Sequence, residues 1–302
     1  MPDTAFTTSG LGHAYGKIAA LHSLDLSVPR GRTGLVGATG AGKSTLIKIL
    51  LGILKPTVGS TTVLGMDPRT NMVDIRSVIG YMPEGNCLPL DQTAADFLVY
   101  AAGTAGLPMQ AARQRASDVL TLVGLDEERF RYLGDFSTGM KQRAKLAQSI
   151  VHDPELVFLD EPTSGLDPSG REEMLDLIAR LGTFGIDVVV SSHVLRDIER
   201  TCDWVVMLDG GTLLHAGPIG GDAEEGTVRV EFAEDAAAIA DALTAMGAIV
   251  SVDGQRLAVR HDQLDVFNLV RDSAAANGAT IRRLDGGSAS LEDLFLVHGD
   301  TP

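Results

Sequence analysis

The chain has 302 residues, 44% hydrophobic and 22% charged, which is enough for two domains and a sizeable core. Its 40 Asp and Glu outweigh 25 Lys and Arg, and the resulting net charge of −15 disfavours nonspecific binding to nucleic acid. The N-terminus, MPDTAFTTSG, carries no basic patch before an apolar run, and no stretch reaches the ~18 apolar residues of a membrane span, so a secreted or membrane-embedded chain is not expected. Cys87 and Cys202 lie far apart and match no metal-ligand spacing; they read as buried or idle thiols in a reducing compartment.

In chain order, short β-type runs alternate with helical patterns: a strand at Thr33 to Gly37, a helix from about Gly42 to Leu51, then strands at Glu155 to Leu159 and Asp187 to Ser191. That alternation predicts a parallel sheet flanked by helices. Between about Asp91 and His152 strand signals are missing. There Thr93 to Asp96 reads as a capping box, and Met109, Ala112, Ala116, Val119, Leu120 and Val123 recur at helical spacing before Gly124, which predicts a helical insertion.

The stretch Pro218-Ile219-Gly220-Gly221-Asp222 reads as a linker. Residues 1–219 hold 19 basic and 25 acidic side chains, whereas 220–302 hold 6 and 15 and no lysine, so the tail is expected to be a separate acidic unit. Its pattern is strand (Thr227 to Phe232), helix (Asp235 to Met246), strand (Ala248 to Val252), an Asp253-Gly254 turn, strand (Arg256 to Arg260), helix (Leu264 to Asn277), strand (Thr280 to Leu284) and a last helix (Leu291 to Val297). The first six elements after Thr227 follow the ferredoxin-like order βαββαβ.

Gly37-Ala38-Thr39-Gly40-Ala41-Gly42-Lys43-Ser44 fits the phosphate-loop pattern and stands directly after a strand and before a helix, as that pattern requires. Its glycines let backbone N–H groups turn toward a β-phosphate, the helix N-terminus adds its dipole, Lys43 reaches β and γ oxygens, and Ser44 ligates Mg²⁺. Leu156-Val157-Phe158-Leu159-Asp160-Glu161 is a buried-strand run ending in two carboxylates. Asp160 would face the metal and Glu161 would polarise an attacking water.

Phe136-Ser137-Thr138-Gly139-Met140-Lys141-Gln142-Arg143, Ser164-Gly165-Leu166-Asp167-Pro168 and Ser191-Ser192-His193 complete a set that resembles the ATP-binding-cassette (ABC) ATPases over about residues 4 to 217. The fold this implies is an α/β P-loop NTPase (ABC ATPase) core, residues 1–219, with a helical subdomain at about 91–152. The small α+β ferredoxin-like C-terminal domain would occupy 220–302. By the resemblance Tyr15 would stack on adenine, although an edge-strand tyrosine packing on its sheet would look the same in sequence. His193 would hold the γ-phosphate, Gly37 to Thr45 would bind the nucleotide, and Ser44, Asp160 and Glu84 would ligate Mg²⁺. Ser137 and Gly139 of the signature would complete the nucleotide site of a second copy in a two-fold sandwich, and Thr138, Met140 and Asp167 would also bind nucleotide. The family signature usually reads Leu-Ser-Gly-Gly-Gln. Here Thr138 replaces its first glycine and Met140 its glutamine, and Glu84 stands where the family has Gln, bringing a negative oxygen toward the metal. Ser-Thr-Gly-Met-Lys-Gln-Arg, Pro-Glu, and Leu291-Glu292-Asp293-Leu294-Phe295-Leu296 look like the ATPase subunits of bacterial two-component drug and antibiotic exporters.

The function this implies is ATP hydrolysis that drives transport, export in that branch, through a separate permease at the cytoplasmic face of the membrane. The rival is a soluble cassette protein of translation or DNA repair. Such members usually carry tandem cassettes or a long coiled coil between phosphate loop and signature, whereas Lys43 and Ser137 are only 94 residues apart and the chain lacks a basic footprint. A third reading makes the acidic tail a regulatory or interaction domain; its superfold does not decide this.

Overall fold

The computed structural model describes residues 3–219, 227–233, 236–261, 265–286 and Leu291, which divide into two compact units at Gly217 and Pro218. The first unit begins with β1 (Thr4–Tyr15), β2 (Ile18–Pro29), β3 (Arg32–Val36), α1 (Lys43–Leu50), β4 (Val58–Val63), α2 (Met72–Val78) and β5 (Ile79–Met82). It continues through α3 (Ala94–Thr104), α4 (Met109–Leu122), α5 (Thr138–Ile150), β6 (Leu156–Asp160), α6 (Pro168–Leu181), β7 (Asp187–Ser192), α7 (Leu195–Thr201), β8 (Trp204–Asp209) and β9 (Thr212–Pro218).

Six strands form one sheet in the order β5-β6-β7-β3-β8-β9, and the β5-β6, β6-β7, β7-β3 and β3-β8 pairs are all parallel. A central parallel strand is covered on both faces, and every residue of β6 is buried, as its unbroken apolar run predicts. A second sheet, β2-β1-β4, is antiparallel and lies outside the sequence expectation. Its Phe6, Leu11, Leu24, Leu26 and Val28 join Leu35, Leu46, Ile47, Ile49, Leu50 and Phe158 in one buried core, so α1 is packed between the two sheets.

The helical insertion consists of α3, α4 and α5, which pack on one another, while α5 also packs on β5 and β6 and so ties the insertion to the parallel sheet. Thr93 caps α3 by accepting from Asp96 N at 3.1 Å. Ala112, Ala116, Val119, Leu120 and Val123 are buried as the helical spacing predicts; Met109, in the first turn of α4, is exposed instead. Cys87 is exposed and Cys202 buried, and burial pushes the Cys202 thiol up to about 12, which makes it inert.

The second unit runs β10 (Thr227–Phe232), α8 (Ala237–Ala245), β11 (Ile249–Asp253), β12 (Arg256–Arg260), α9 (Val266–Ala276) and β13 (Ile281–Gly286). The strands form an antiparallel sheet in the order β11-β12-β10-β13, the ferredoxin-like arrangement. Val228, Val230, Phe232, Leu257 and Val259 pack with Ile239, Leu243, Val266 and Val270 of the helices in a core of their own. Gly220, Gly221 and Asp222 of the expected linker, Asp235 and Leu264 at the expected helix starts, and all but Leu291 of the expected last helix lie outside the described residues.

Candidate nucleotide site

The parallel register brings the chemistry together. Val36 of β3 is level with Ser192 of β7, and Asp160 of β6 is level with Ser191, so the carboxyl ends of three adjacent strands deliver the phosphate loop, Asp160-Glu161 and Ser191-Ser192-His193 to one edge. Between β3 and α1 the chain turns tightly. Gly42 caps α1 at φ 99, where a Cβ would meet Leu21 Cδ2 at 2.6 Å and the Ala20 carbonyl at 2.7 Å, so both conformation and space select glycine. A Cβ at Gly37 would run into the Leu208 carbonyl of β8.

Here lies a cavity of about 220 Å³ whose wall includes Thr39, Gly40, Ala41, Gly42, Lys43, Ser44 and Thr45, together with Ala20, Glu84, Glu161, Ser164 and His193. Lys43 is buried and folds back over its own loop, donating from Nζ to the Gly37 carbonyl at 2.6 Å and the Ala38 carbonyl at 3.3 Å. Its ammonium also lies 3.6 Å from Glu161 Oε1. His193 Nδ1 donates to Glu161 Oε2 at 2.9 Å, so the carboxylate is held between a lysine and a histidine. Glu161 sits at φ 49, a left-handed conformation that non-glycine residues rarely adopt. Its N–H is shared by the Ser191 carbonyl at 3.2 Å and Ser191 Oγ at 3.0 Å.

Asp160 is buried behind this wall, where Oδ1 accepts from Ser44 Oγ at 3.3 Å and from Ser191 Oγ at 2.5 Å. The Ser44 hydroxyl and the Asp160 carboxylate side by side, with Glu84 lining the same cavity as Ser44, offer an all-oxygen donor set that fits Mg²⁺, an ion usually held by one or two carboxylates and by phosphates. Among the described residues there is no cluster of three or more His, Cys, Asp or Glu that would form a cage by itself.

Other predicted residues stand apart. Tyr15 ends β1 half exposed, its ring edge-on to His13 with centroids 4.7 Å apart, and does not line the cavity. Ser137 caps α5 by accepting from Met140 N at 3.3 Å. Thr138, at the same helix start, lines a different cavity with Glu84, Cys87, Lys141, Gln142 and Lys145. Gly139 and Met140 follow in the first turn, and Asp167 caps α6 by accepting from Gly170 N at 3.1 Å.

The sequence reading missed Lys145, which is buried on α5 and donates from Nζ to the Glu84 carbonyl at 2.9 Å; burial draws its pKa down. The signal was its place on the apolar face of that helix, two turns after Ser137. Ser191 stands in the sequence only as part of a motif, yet it links Asp160 to the Glu161 backbone.

The ABC transporter family profile matches residues 21–164. An ABC transporter ATP-binding protein of Synechocystis is 35% identical over 288 residues, 93% of this chain and 78% of that one. The daunorubicin/doxorubicin resistance ATP-binding protein DrrA of Streptomyces peucetius is 30% identical over 306 residues, 98% of this chain and 92% of that one. Among solved structures, an ATP-binding subunit of an ABC transporter superposes with a TM-score of 0.65 at 28% identity, over 72% of this chain and 91% of that one.

Proposed function

Because the chain belongs to the ABC transporter family, as an ATP-binding and ATP-hydrolysing subunit, we propose that ATP closes two copies of it into a sandwich whose turnover drives export through a separate membrane permease. The observation that carries this reading is the Glu161 carboxylate, set between Lys43 and His193 and beside the Ser44–Asp160 pair. Phosphates would lie against the N–H groups of Gly37 to Thr45 and the start of α1. Lys43 would turn from the Gly37 and Ala38 carbonyls to the β and γ oxygens, which frees Glu161 to take a proton from the attacking water while His193 holds the γ-phosphate. Ser44, Asp160 and Glu84 would hold Mg²⁺. The ion, when bound, neutralises charge on the phosphate oxygens.

Tyr15 offers its exposed ring to adenine. Ser137, Thr138, Gly139, Met140 and Asp167 would serve the nucleotide of the partner copy, since none of them lines the cavity of their own phosphate loop. No helix among the described residues is long and apolar enough to cross a membrane, so a second chain would supply the span and hold this one at the cytoplasmic face. The permease would dock near Glu84 and the helical insertion, where Leu90, Tyr100, Phe130 and Tyr132 are all exposed. Export rests on the likeness to the Nod factor export ATP-binding protein of Burkholderia orbicola, 31% identical over 290 residues.

The test is to purify the full chain together with the membrane protein it retains and to compare ATP turnover with and without that partner. Retention of a multi-span protein that changes turnover is the expected result. A chain that keeps no membrane partner, or whose turnover ignores it, overturns the coupling.

A further inference from the structure

Besides Asp160 and Glu161, the first unit buries a third carboxylate, which none of the roles above uses. Asp197, in the first turn of α7, is only 4% exposed, and a carboxylate removed from water in this way must find its donors inside the protein. Its Oδ1 accepts from Arg171 Nε at 2.9 Å and Nη2 at 2.7 Å, and its Oδ2 accepts from Thr163 Oγ1 at 2.9 Å. Its backbone N–H donates to the Val194 carbonyl at 3.2 Å, and its carbonyl accepts from Thr201 Oγ1 at 2.6 Å.

These partners are not scattered. Thr163 is two residues beyond Glu161, Val194 directly follows His193, and Arg171 lies in the first turn of α6, the helix that Asp167 caps. We propose that Asp197 is a positioning residue that clamps the Glu161 turn to the His193 loop and so keeps the catalytic carboxylate and the phosphate-holding imidazole in register. This rests on the roles assigned above to Glu161 and His193.

The physical need for such a clamp is visible at Glu161. Its left-handed backbone persists only where its surroundings over-determine it. Ser191 holds the Glu161 N–H, and the Glu161 carbonyl accepts from Ser164 N at 3.1 Å. The far end of the same turn is fixed by the Thr163 hydroxyl on Asp197 and by Gln142 Nε2 of α5, which donates to the Ser164 carbonyl at 2.9 Å. Without the Thr163–Asp197 bond the turn would keep its anchor on β7 but lose its tie to α7. Glu161 and His193 could then shift independently, and a misplacement of about 1 Å can cost on the order of a hundredfold in rate.

The experiment uses the full chain and four variants, Thr163→Val, Thr163→Ser, Asp197→Ala and the Thr163→Val/Asp197→Ala double, with Glu161→Gln as reference. For each, kcat and KM for MgATP, nucleotide affinity and melting temperature are measured. Thr163→Val should lower kcat roughly tenfold with KM and affinity within about twofold of wild type, because the clamp touches no nucleotide. Thr163→Ser, which keeps the hydroxyl, should restore the rate. The double variant should be no slower than Asp197→Ala alone, since either change by itself removes the Thr163–Asp197 bond. The Thr163 pair carries the test if Asp197→Ala fails to fold. A Thr163→Val kcat within about twofold of wild type while Glu161→Gln is inactive would overturn the clamp alone, as would losses that multiply in the double. An active Glu161→Gln would instead overturn the reading of the site beneath it.

Discussion

Glu161 is nearly out of water, and what it has in place of water is the Lys43 ammonium at 3.6 Å and His193 Nδ1 at 2.9 Å. Glu161→Gln keeps the size of the side chain and removes its charge and basicity, while Lys43 retains two carbonyl acceptors and Ser44 and Asp160 remain beside each other. Loss of a positioned base typically costs ~10² to 10⁴ in rate, so hydrolysis should fall at least about a hundredfold with nucleotide affinity little changed. Phosphate release within about threefold of wild type would remove Glu161 from that role. Tyr15 tests the proposed adenine contact. Its ring is 47% exposed and rests edge-on against His13, so Tyr15→Ala should leave the melting temperature alone yet weaken ATP binding by about 1 to 3 kcal/mol if adenine stacks there. Equal affinity measured by titration calorimetry would return Tyr15 to an edge-strand role.

The elements differ in how openly the sequence declares them. The unbroken apolar run of β6 and the glycine-bounded β3–α1 junction are readable because burial on both faces and a phosphate-binding turn each demand a distinctive string. The β2-β1-β4 sheet is not, because its period-2 pattern is interrupted: β1 shifts register on β2 between Thr8 and Leu11 and again between Leu11 and His13, near Ser23 at φ 46. Each shift moves the apolar side to the other face of an alternating string, so Phe6 and Leu11 look unrelated although both are buried. In the site, Lys43, Ser44 and Asp160 were readable from local strings. The clamp of Thr163, Arg171 and Asp197 was not, because its partners lie 26 and 34 residues apart and meet only once the sheet is built.

A second consequence of packing concerns His152, between α5 and β6, whose Nε2 donates to the Ile79 carbonyl at 3.0 Å. Burial holds its pKa below the ordinary 6.5, an effect that outweighs the hydrogen bond and Asp153, while Arg115 lowers it further. The unfolded chain therefore binds this proton more readily than the folded one, and its contribution to stability is complete above about 6.5 and falls as pH drops through that value toward the folded pKa. His152→Gln keeps an N–H for Ile79 and cannot titrate. Urea midpoints compared from about pH 7.5 to about 5.5 should fall more steeply for wild type than for the variant. Parallel curves would mean that His152 titrates alike in both states.

In the whole molecule, the separation of Ser137 from the phosphate cavity decides what one chain can do alone. The cavity wall draws on the phosphate loop, Glu84, Glu161, Ser164 and His193, while Ser137 to Met140 begin α5 outside it. A helix start with an exposed N-cap hydroxyl and free N–H groups suits a phosphate, and a second copy turned by a two-fold axis would present it to the first while receiving the same in return. Nucleotide would then be shared by two chains, and anything that binds only the closed pair stabilises it by mass action. Glu161→Gln should hold ATP uncleaved, so with saturating MgATP it should elute from size-exclusion chromatography as a dimer and without nucleotide as a monomer. Adding Ser137→Arg to it places a long cation where the partner's nucleotide would lie, and this double variant should stay monomeric while its ATP affinity changes little, because its own phosphate loop is intact. A Glu161→Gln chain that remains monomeric in saturating MgATP would break the sandwich. A double variant that still dimerises would show that the copies meet through some face other than the start of α5.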